Sequence, residues 1–471
     1  MAYTREEALD THKDFQENIK NYEYFIRSYN GGYDFMMGQY LNRYNLELDN
    51  EFNQRLANTP CDNHCKNIIQ IYSSFLFRVK ASRDFGSMQD EASLESFLKD
   101  ADLEGNNFQS VMRTAQNYAS IYGHCFMILD KPAVQTQTKA EELNQEIRPY
   151  VSIVTPENVL DWNFERQING KYVLNYLKIR EEVDKSGGMY IRLWYPDRVD
   201  TIYVEDQGTE PQLIDTAENQ IGKIPAVILY NAKSHKRGIG QSDLIDISDL
   251  QRAIYNEYSE IEQLIRLTNH PSLVKTNGVN ASAGAGAVIE MPDELEPNLK
   301  PYLLQPSGQN LNSIMDSISK KVEAINRIAH TGAVRTTKTQ VSSGIALQTE
   351  FELLNARLSE KADNLQLAEE QLFKIYADYQ NTTFDGEINY PDSFNIRDYA
   401  SDLVFFQQAK SINVPSNTLN KEIDKEIARA VVDDDAKLTQ IFDEIDSNAE
   451  TGQFTQDEPV EEDQEVEEEE V

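Results

Sequence analysis

Three stretches between residues 240 and 380 carry apolar side chains at spacings of three and four. The first runs Leu244, Ile247, Leu250, Ile254, Tyr258, Ile261, Ile265 and the second Leu311, Ile314, Ile318, Val322, Ile325, Ala329. The third runs Leu347, Phe351, Leu354, Leu358, Ala362, Leu365, Leu372, Ile375, Tyr379. This period puts each set on one face of a helix, so three long helices are predicted. Residues 271 to 308 hold five prolines and four glycines, which no helix crosses. A small separate lobe is expected there, with strand-like runs at 287–291 and 302–304. The segment from His330 to Gly344 is rich in Thr, Ser and Gly and reads as a loop, with Ser342 or Ser343 placed to cap the third helix.

Upstream, residues 1 to about 83 predict helices: one from Arg5 to Tyr29, one including Tyr40, Leu41, Tyr44 and Leu48, and a buried one over 66–80. Amphipathic helices follow to residue 122. From Tyr122 the pattern alternates, in six runs at 125–129, 150–154, 172–179, 189–195, 200–204 and 226–230. With turn formers at 169–170, 187–188 and 196–197 between them, these predict a mostly antiparallel sheet. Beyond Pro391, helices are expected over 399–409 and 419–445, and disorder from Asn448 onward.

Charge changes the picture. The 44 basic residues against 79 acidic ones give a net −35, of which the stretch 443–471 alone supplies −14. A protein that grips DNA tightly presents the opposite sign. No run of eighteen apolar residues exists, so no membrane span is predicted. Three cysteines, Cys61, Cys65 and Cys125, fit a reducing compartment, and Cys61-Asp-Asn-His64-Cys65 lacks the second half of a zinc site. The phosphate-loop, GxSxG, HExxH and GxGxxG signatures are all missing, so neither an enzyme nor a cofactor is expected.

Several short motifs in order resemble the portal, or head-to-tail connector, proteins of tailed bacteriophages. They are Gly238-Ile-Gly240-Gln-Ser242-Asp243-Leu244 before the first long helix and Ser343-Gly344-Ile-Ala346-Leu347-Gln348 at the third. Upstream lie Gly31-Gly32 with Tyr40-Leu41, Asn67-Ile68-Ile69, Tyr122-Gly123, Arg148-Pro149-Tyr150 and Gly222-Lys-Ile224-Pro225-Ala-Val227. Gln348 departs from the lysine common in relatives, which leaves no cation at that point.

The resemblance implies an α+β, mainly helical portal fold. Its parts would be a β-rich wing (1–237), a first stem helix (238–269), a small α/β clip (270–310) and a second stem helix (311–330). A channel, or tunnel, loop (331–344), a long wing helix (345–392), crown helices (393–447) and a disordered acidic tail (448–471) would follow. Leu244, Ile247, Ile254, Tyr258, Ile261, Ile314, Ile318, Val322 and Ile325 would pack the stem and its neighbours. Arg335, Thr336, Thr337, Lys338 and Gln340 would meet DNA phosphates in the channel. Asn277, Val279, Glu290, Asp293 and Glu294 in the clip would receive the packaging motor and then an adaptor.

The same resemblance implies a ring of twelve copies in the virion, assembled in the host cytoplasm. Its expected partners are double-stranded DNA passing without sequence readout, the terminase large subunit, a head-completion adaptor, and major capsid and scaffold proteins. The competing reading is a coiled-coil assembly scaffold without a channel, which the long stripes suit and the six alternating runs do not.

Overall fold

The computed structural model describes residues 3–132, 139–206, 208, 210–269, 272–274, 302–304, 309–335, 344–391, 393–394, 399–412, 414–432 and 435–448. The chain forms two compact units, Met1–Phe394 and Asn395–Val471.

The first unit opens with helices α1 (Arg5–Leu9), α2 (Lys13–Asn30), α3 (Gly32–Met37), α4 (Asp49–Asn58) and α5 (His64–Leu76). The single helix expected over 5–29 is broken because the buried Lys178 Nζ donates to the Glu7 and Asp10 carbonyls at 2.8 and 2.7 Å. The helix expected through Tyr40, Leu41, Tyr44 and Leu48 does not form either. Gln39 has a positive φ, and the buried Arg55 draws in the Asn42 carbonyl (2.6 Å) and the Glu47 carboxylate (2.7 Å), wrapping the segment around its guanidinium. Next come β1 (Ser82–Asp84), α6 (Leu94–Lys99) and α7 (Phe108–Tyr122). Helix α7 starts on the side chain of Asn107 and ends at Gly123, whose φ of 97° favours glycine.

Strand β2 (His124–Asp130), helix α8 (Lys139–Asn144) and strands β3 (Tyr150–Val154), β4 (Val159–Arg166), β5 (Tyr172–Val183), β6 (Met189–Trp194), β7 (Arg198–Val204), β8 (Gln212–Glu218) and β9 (Ala226–Tyr230) follow. They make two antiparallel sheets, ordered β3-β2-β9 and β4-β5-β6-β7-β8. The six alternating runs fall on β2, β3, β5, β6, β7 and β9. Strands β4 and β8 were not expected; β8 is an edge strand with almost every residue exposed, so it has no apolar face to read. Trp162, Leu177, Ile191, Leu193, Trp194 and Ile202 share the core of the larger sheet.

Helix α9 (Ile247–Asn269), strands β10 (Ser272–Val274) and β11 (Tyr302–Leu304), helix α10 (Gln309–Ile328), the short α11 (Gly332–Arg335), helix α12 (Gly344–Gln380) and β12 (Glu387–Asn389) complete the unit. Strands β10 and β11 pair antiparallel, joining the end of α9 to the start of α10, so the two helices run side by side in opposite directions. With 37 residues, α12 is roughly 55 Å long. Buried residues of all three helices share one core with α5 and α7. Strand β12 returns to pair with β1 beside the buried Glu369 of α12, whose carboxylate takes both Arg83 bonds at 2.8 and 2.9 Å.

The second unit contains α13 (Tyr399–Ser411), α14 (Asn417–Val431) and α15 (Asp435–Asn448). The single helix expected over 419–445 is two, because α14 stops at an extended Val432. Lys425 reaches Asp446 at 2.9 Å, and the Arg429 guanidinium lies 5.0 Å from the centre of the Phe442 ring. The tail from 449 and the expected strand at 287–291 lie outside the described residues.

Candidate functional site

The motif before the first long helix builds its own anchor. Gly240 packs against Gly123 so closely that a Cβ on it would sit 1.9 Å from the Gly123 carbonyl oxygen, so only glycine fits. Ser242 Oγ donates to the Ile121 carbonyl at 2.5 Å and accepts the Leu244 N–H at 2.9 Å, while the Asp243 N–H donates to the Ser120 carbonyl at 3.0 Å. These bonds hold residues 240–244 against the end of α7. Leu244 is therefore buried but precedes the helix, which begins at Ile247, three residues later than the stripe implies.

Pinned in this way, Asp243 turns its carboxylate into the protein. It accepts from Arg357 Nη2 at 2.5 Å, Lys361 Nζ at 2.6 Å and Asn231 Nδ2 at 2.8 Å. Lys361 is itself 2 % exposed; it also donates to Ser120 Oγ at 3.1 Å and to Asn231 Oδ1, and lies over the Tyr72 ring. Burial alone would raise the Asp243 carboxyl, but the two cations outweigh it and hold the group at about 2. Through its N–H and its carboxylate, Asp243 thus joins the end of α7, the end of β9, the entry to α9 and the middle of α12. Nearby, the fully buried His124 accepts the Gly240 N–H on Nδ1 at 3.3 Å, and burial pushes it down to about 3.

Along the paired helices, Ile247, Ile254 and Ile261 of α9 and Ile318 and Ile325 of α10 are buried, with Tyr258, Ile314 and Val322 packed at the margin. Glu257 accepts from Lys321 Nζ at 2.6 Å and Ser317 Oγ at 2.7 Å, crossing from α9 to α10. Ile265 and Leu267 near the far end of α9, and Met315 of α10, remain 41 to 47 % exposed.

Where α10 ends, Tyr72 Oη donates to the Ala329 carbonyl at 2.6 Å and the chain turns through His330 with φ 54°. Arg335 closes α11 instead of lying in an open loop, and its guanidinium is turned inward. It donates to Asn326 Oδ1 at 2.7 Å and meets His64 Nδ1 at 2.6 Å. Guanidinium only donates, so His64 Nδ1 must accept and its proton sits on Nε2, 3.2 Å from Asp62 Oδ2. The nearby His64 ring is the main reason the Asp62 carboxyl is held below its usual range. Burial and these two partners make Arg335 a brace between α10 and the start of α5.

Thr336, Thr337, Lys338 and Gln340 lie outside the described residues, as do Asn277, Val279, Glu290, Asp293 and Glu294 and the capping serines 342 and 343. Two other cations are engaged within the subunit: Lys321 with Glu257, and Lys236 with Asp14 at 2.5 Å and Glu17 at 2.8 Å. Cys61, Cys65 and Cys125 are free thiols, and burial raises Cys61 to about 11, away from thiolate chemistry. Among the described residues no cluster of three or more His, Cys, Asp and Glu is arranged for a metal ion, and no helix is long and apolar enough to cross a membrane.

Of the hub residues, Asp243 stands in the motif before the first long helix, whereas Asn231, Arg357 and Lys361 were not singled out from sequence. A signal existed: Lys361 stands three residues after Leu358 and four before Leu365, a charge at a position where the stripe calls for an apolar group.

A family model described as phage portal protein, SPP1 Gp6-like, matches residues 11–450. Among solved structures, the chain is similar to one in the neck of an empty gene transfer agent particle computed with C6 symmetry. That match has 10% identity, covers 73% of this chain and 84% of the other, and has a TM-score of 0.42. It is also similar to a chain in the virion of a native gene transfer agent particle, with 10% identity, coverage of 76% and 89%, and a TM-score of 0.43. No curated protein matches.

Proposed function

The chain belongs to the SPP1 Gp6-like phage portal protein family, a structural and non-enzymatic component of the capsid, and from that premise we propose that it forms a ring at one vertex of the virion through which double-stranded DNA enters and leaves. The observation that carries this reading is the family match over residues 11–450.

In this reading residues 1–237 with the long helix α12 form the wing, α9 and α10 the stem, 270–310 the clip and 393–447 the crown. The clip receives the terminase motor during packaging and an adaptor afterwards. The geometry supports it in two ways. Helices α9 and α10 pair with each other yet leave Ile265, Leu267 and Met315 uncovered, as a stave in a barrel of copies requires. Arg335 is engaged by Asn326 and His64, so in this reading Lys338 is the cation that residues 336–343 bring to DNA. The acidic balance suits a conduit, because every phosphate neutralised by the wall releases counterions and holds the DNA in place.

Negative-stain imaging of the purified protein tests the reading. Rings with a central hole are the expected result; filaments or single globular particles would overturn it in favour of a scaffold without a channel.

A further inference from the structure

Away from the hub, a groove of about 380 Å³ runs beside β9, with β5 and α12 as its other walls. Lys171, Lys223, Lys233 and Lys374 line it and no acidic side chain does, in a chain of net charge −35. Lys223 pairs with Asp378, and Lys374 lies 3.6 Å from Glu370, both carboxylates outside the lining. Lys171 and Lys233 have no carboxylate partner among the described residues. Arg237 adds a fifth cation beside the groove, stacked 3.4 Å from the centre of the Tyr172 ring. Tyr172 and Leu367, each 45 % exposed, supply apolar surface.

The groove also follows an open strand edge. Among the described residues strand β9 pairs with β2 alone, and the Leu129 N–H donation to Pro225 sets the register. Alternation then turns Val227 and Leu229 toward β2 and leaves the N–H and C=O groups of Ala226, Ile228 and Tyr230 along the free edge. Such an edge is a template for one more extended segment.

We propose that this groove receives the acidic tail of a second copy of the chain, with residues 460–466 (Val-Glu-Glu-Asp-Gln-Glu-Val) added as a strand beside β9. In an extended segment Glu461, Asp463 and Glu465 share one side, while Val460 and Val466 lie on the other. Three carboxylates thereby face Lys171 and Lys233 on the β5 side, and the valines face Leu367 on the α12 side. Seven extended residues span about 23 Å, enough to cover the five-residue β9. A nucleic acid would use the lysines, but it carries no ladder of alternating N–H and C=O groups to pair with the strand edge. The assignment rests on the portal reading only for the presence of an adjacent copy.

The test is cross-linking in the full-length protein with p-benzoylphenylalanine in place of Gln371, an exposed residue of the groove wall. Irradiation should give an adduct of two-chain mass whose digested peptide lies within 449–471. Its yield should fall at least fivefold with Lys171→Glu plus Lys233→Glu and recover when Glu461→Lys, Asp463→Lys and Glu465→Lys are added. A nuclease-sensitive adduct, a one-chain adduct, a different peptide, a yield indifferent to the charge reversals, or no adduct in a sample that shows rings would each overturn the proposal. In a sample without rings the portal reading fails separately. A fluorescent peptide of residues 457–471 then decides the groove: saturable binding weakened fivefold by the lysine reversals supports it, and no binding overturns it.

Discussion

The two ends of α9 are built on different principles. At its start, residues 240–244 are tied by backbone bonds and by a carboxylate that satisfies two cations and an amide in a dry interior. Toward its far end the packing thins to one apolar ladder with α10, one ion pair about a quarter exposed and a set of uncovered apolar side chains. Such networks cost desolvation energy and add little net stability, yet they accept only one geometry. The near end therefore specifies where the helix is aimed, and the far end leaves surface for other copies.

The contrast breaks first if the hub proves dispensable. Replacing Asp243→Asn leaves the buried Lys361 and the partly buried Arg357 without their anion, and the expected loss is about 3–5 kcal/mol of subunit stability. Urea unfolding followed by tryptophan fluorescence measures it. A loss below about 1 kcal/mol would mean that water or other groups replace the carboxylate.

Acid should act at the same end. His124 is depressed to about 3 in the folded chain against an ordinary 6.5, so the unfolded state binds its proton first. Its contribution is intact above about 6.5 and declines by about 1.4 kcal/mol per pH unit as pH falls from there toward 3. Asp243 adds its own loss only below about 3.8, down through 2. His124→Gln, which keeps an acceptor for the Gly240 N–H, should flatten the slope between pH 6.5 and 4 in denaturant titrations.

The brace at Arg335 sits between the two regimes. Arg335→Met keeps the stem of the side chain and removes bonds to Asn326 and His64, at a cost of about 2 kcal/mol. Hydrogen exchange should rise in residues 329–335 while the hub peptides around 240–244 stay protected. Equal loosening of both would show that the hub and the brace are one network.

These differences explain what could be read in the chain beforehand. The stripes of α9, α10 and α12, the continuous apolar run of β2 and the alternation of β5–β7 are local patterns that follow from period and burial. The Asp243 hub joins residues 114 and 118 positions apart, a link no window of sequence contains. The failed helix around Tyr44 has the same cause, since Arg55 claims the backbone of Asn42 from another element. Arg335 looked like a loop cation because its neighbours are small and hydroxylated; its partner His64 lies 271 residues away. Local periodicity predicted elements, whereas the charges that lock them together became visible only in three dimensions.

The smallest effects on the subunit are expected at the far end. Glu257→Gln weakens an ion pair whose members are each about one quarter exposed, so the loss should be near 0.5 kcal/mol. Ile265→Asp with Met315→Asp changes side chains that already meet solvent, and subunit stability should move by less than about 0.5 kcal/mol. Assembly should respond in the opposite proportion: a charge on each face that a neighbour would cover places unpaired carboxylates in a repeated contact. Size-exclusion chromatography with light scattering should show the double variant as a folded monomer under conditions where the parent chain forms larger particles. Retention of those particles would mean that copies meet elsewhere, and the uncovered side chains of α9 and α10 would then have no part in closing a ring.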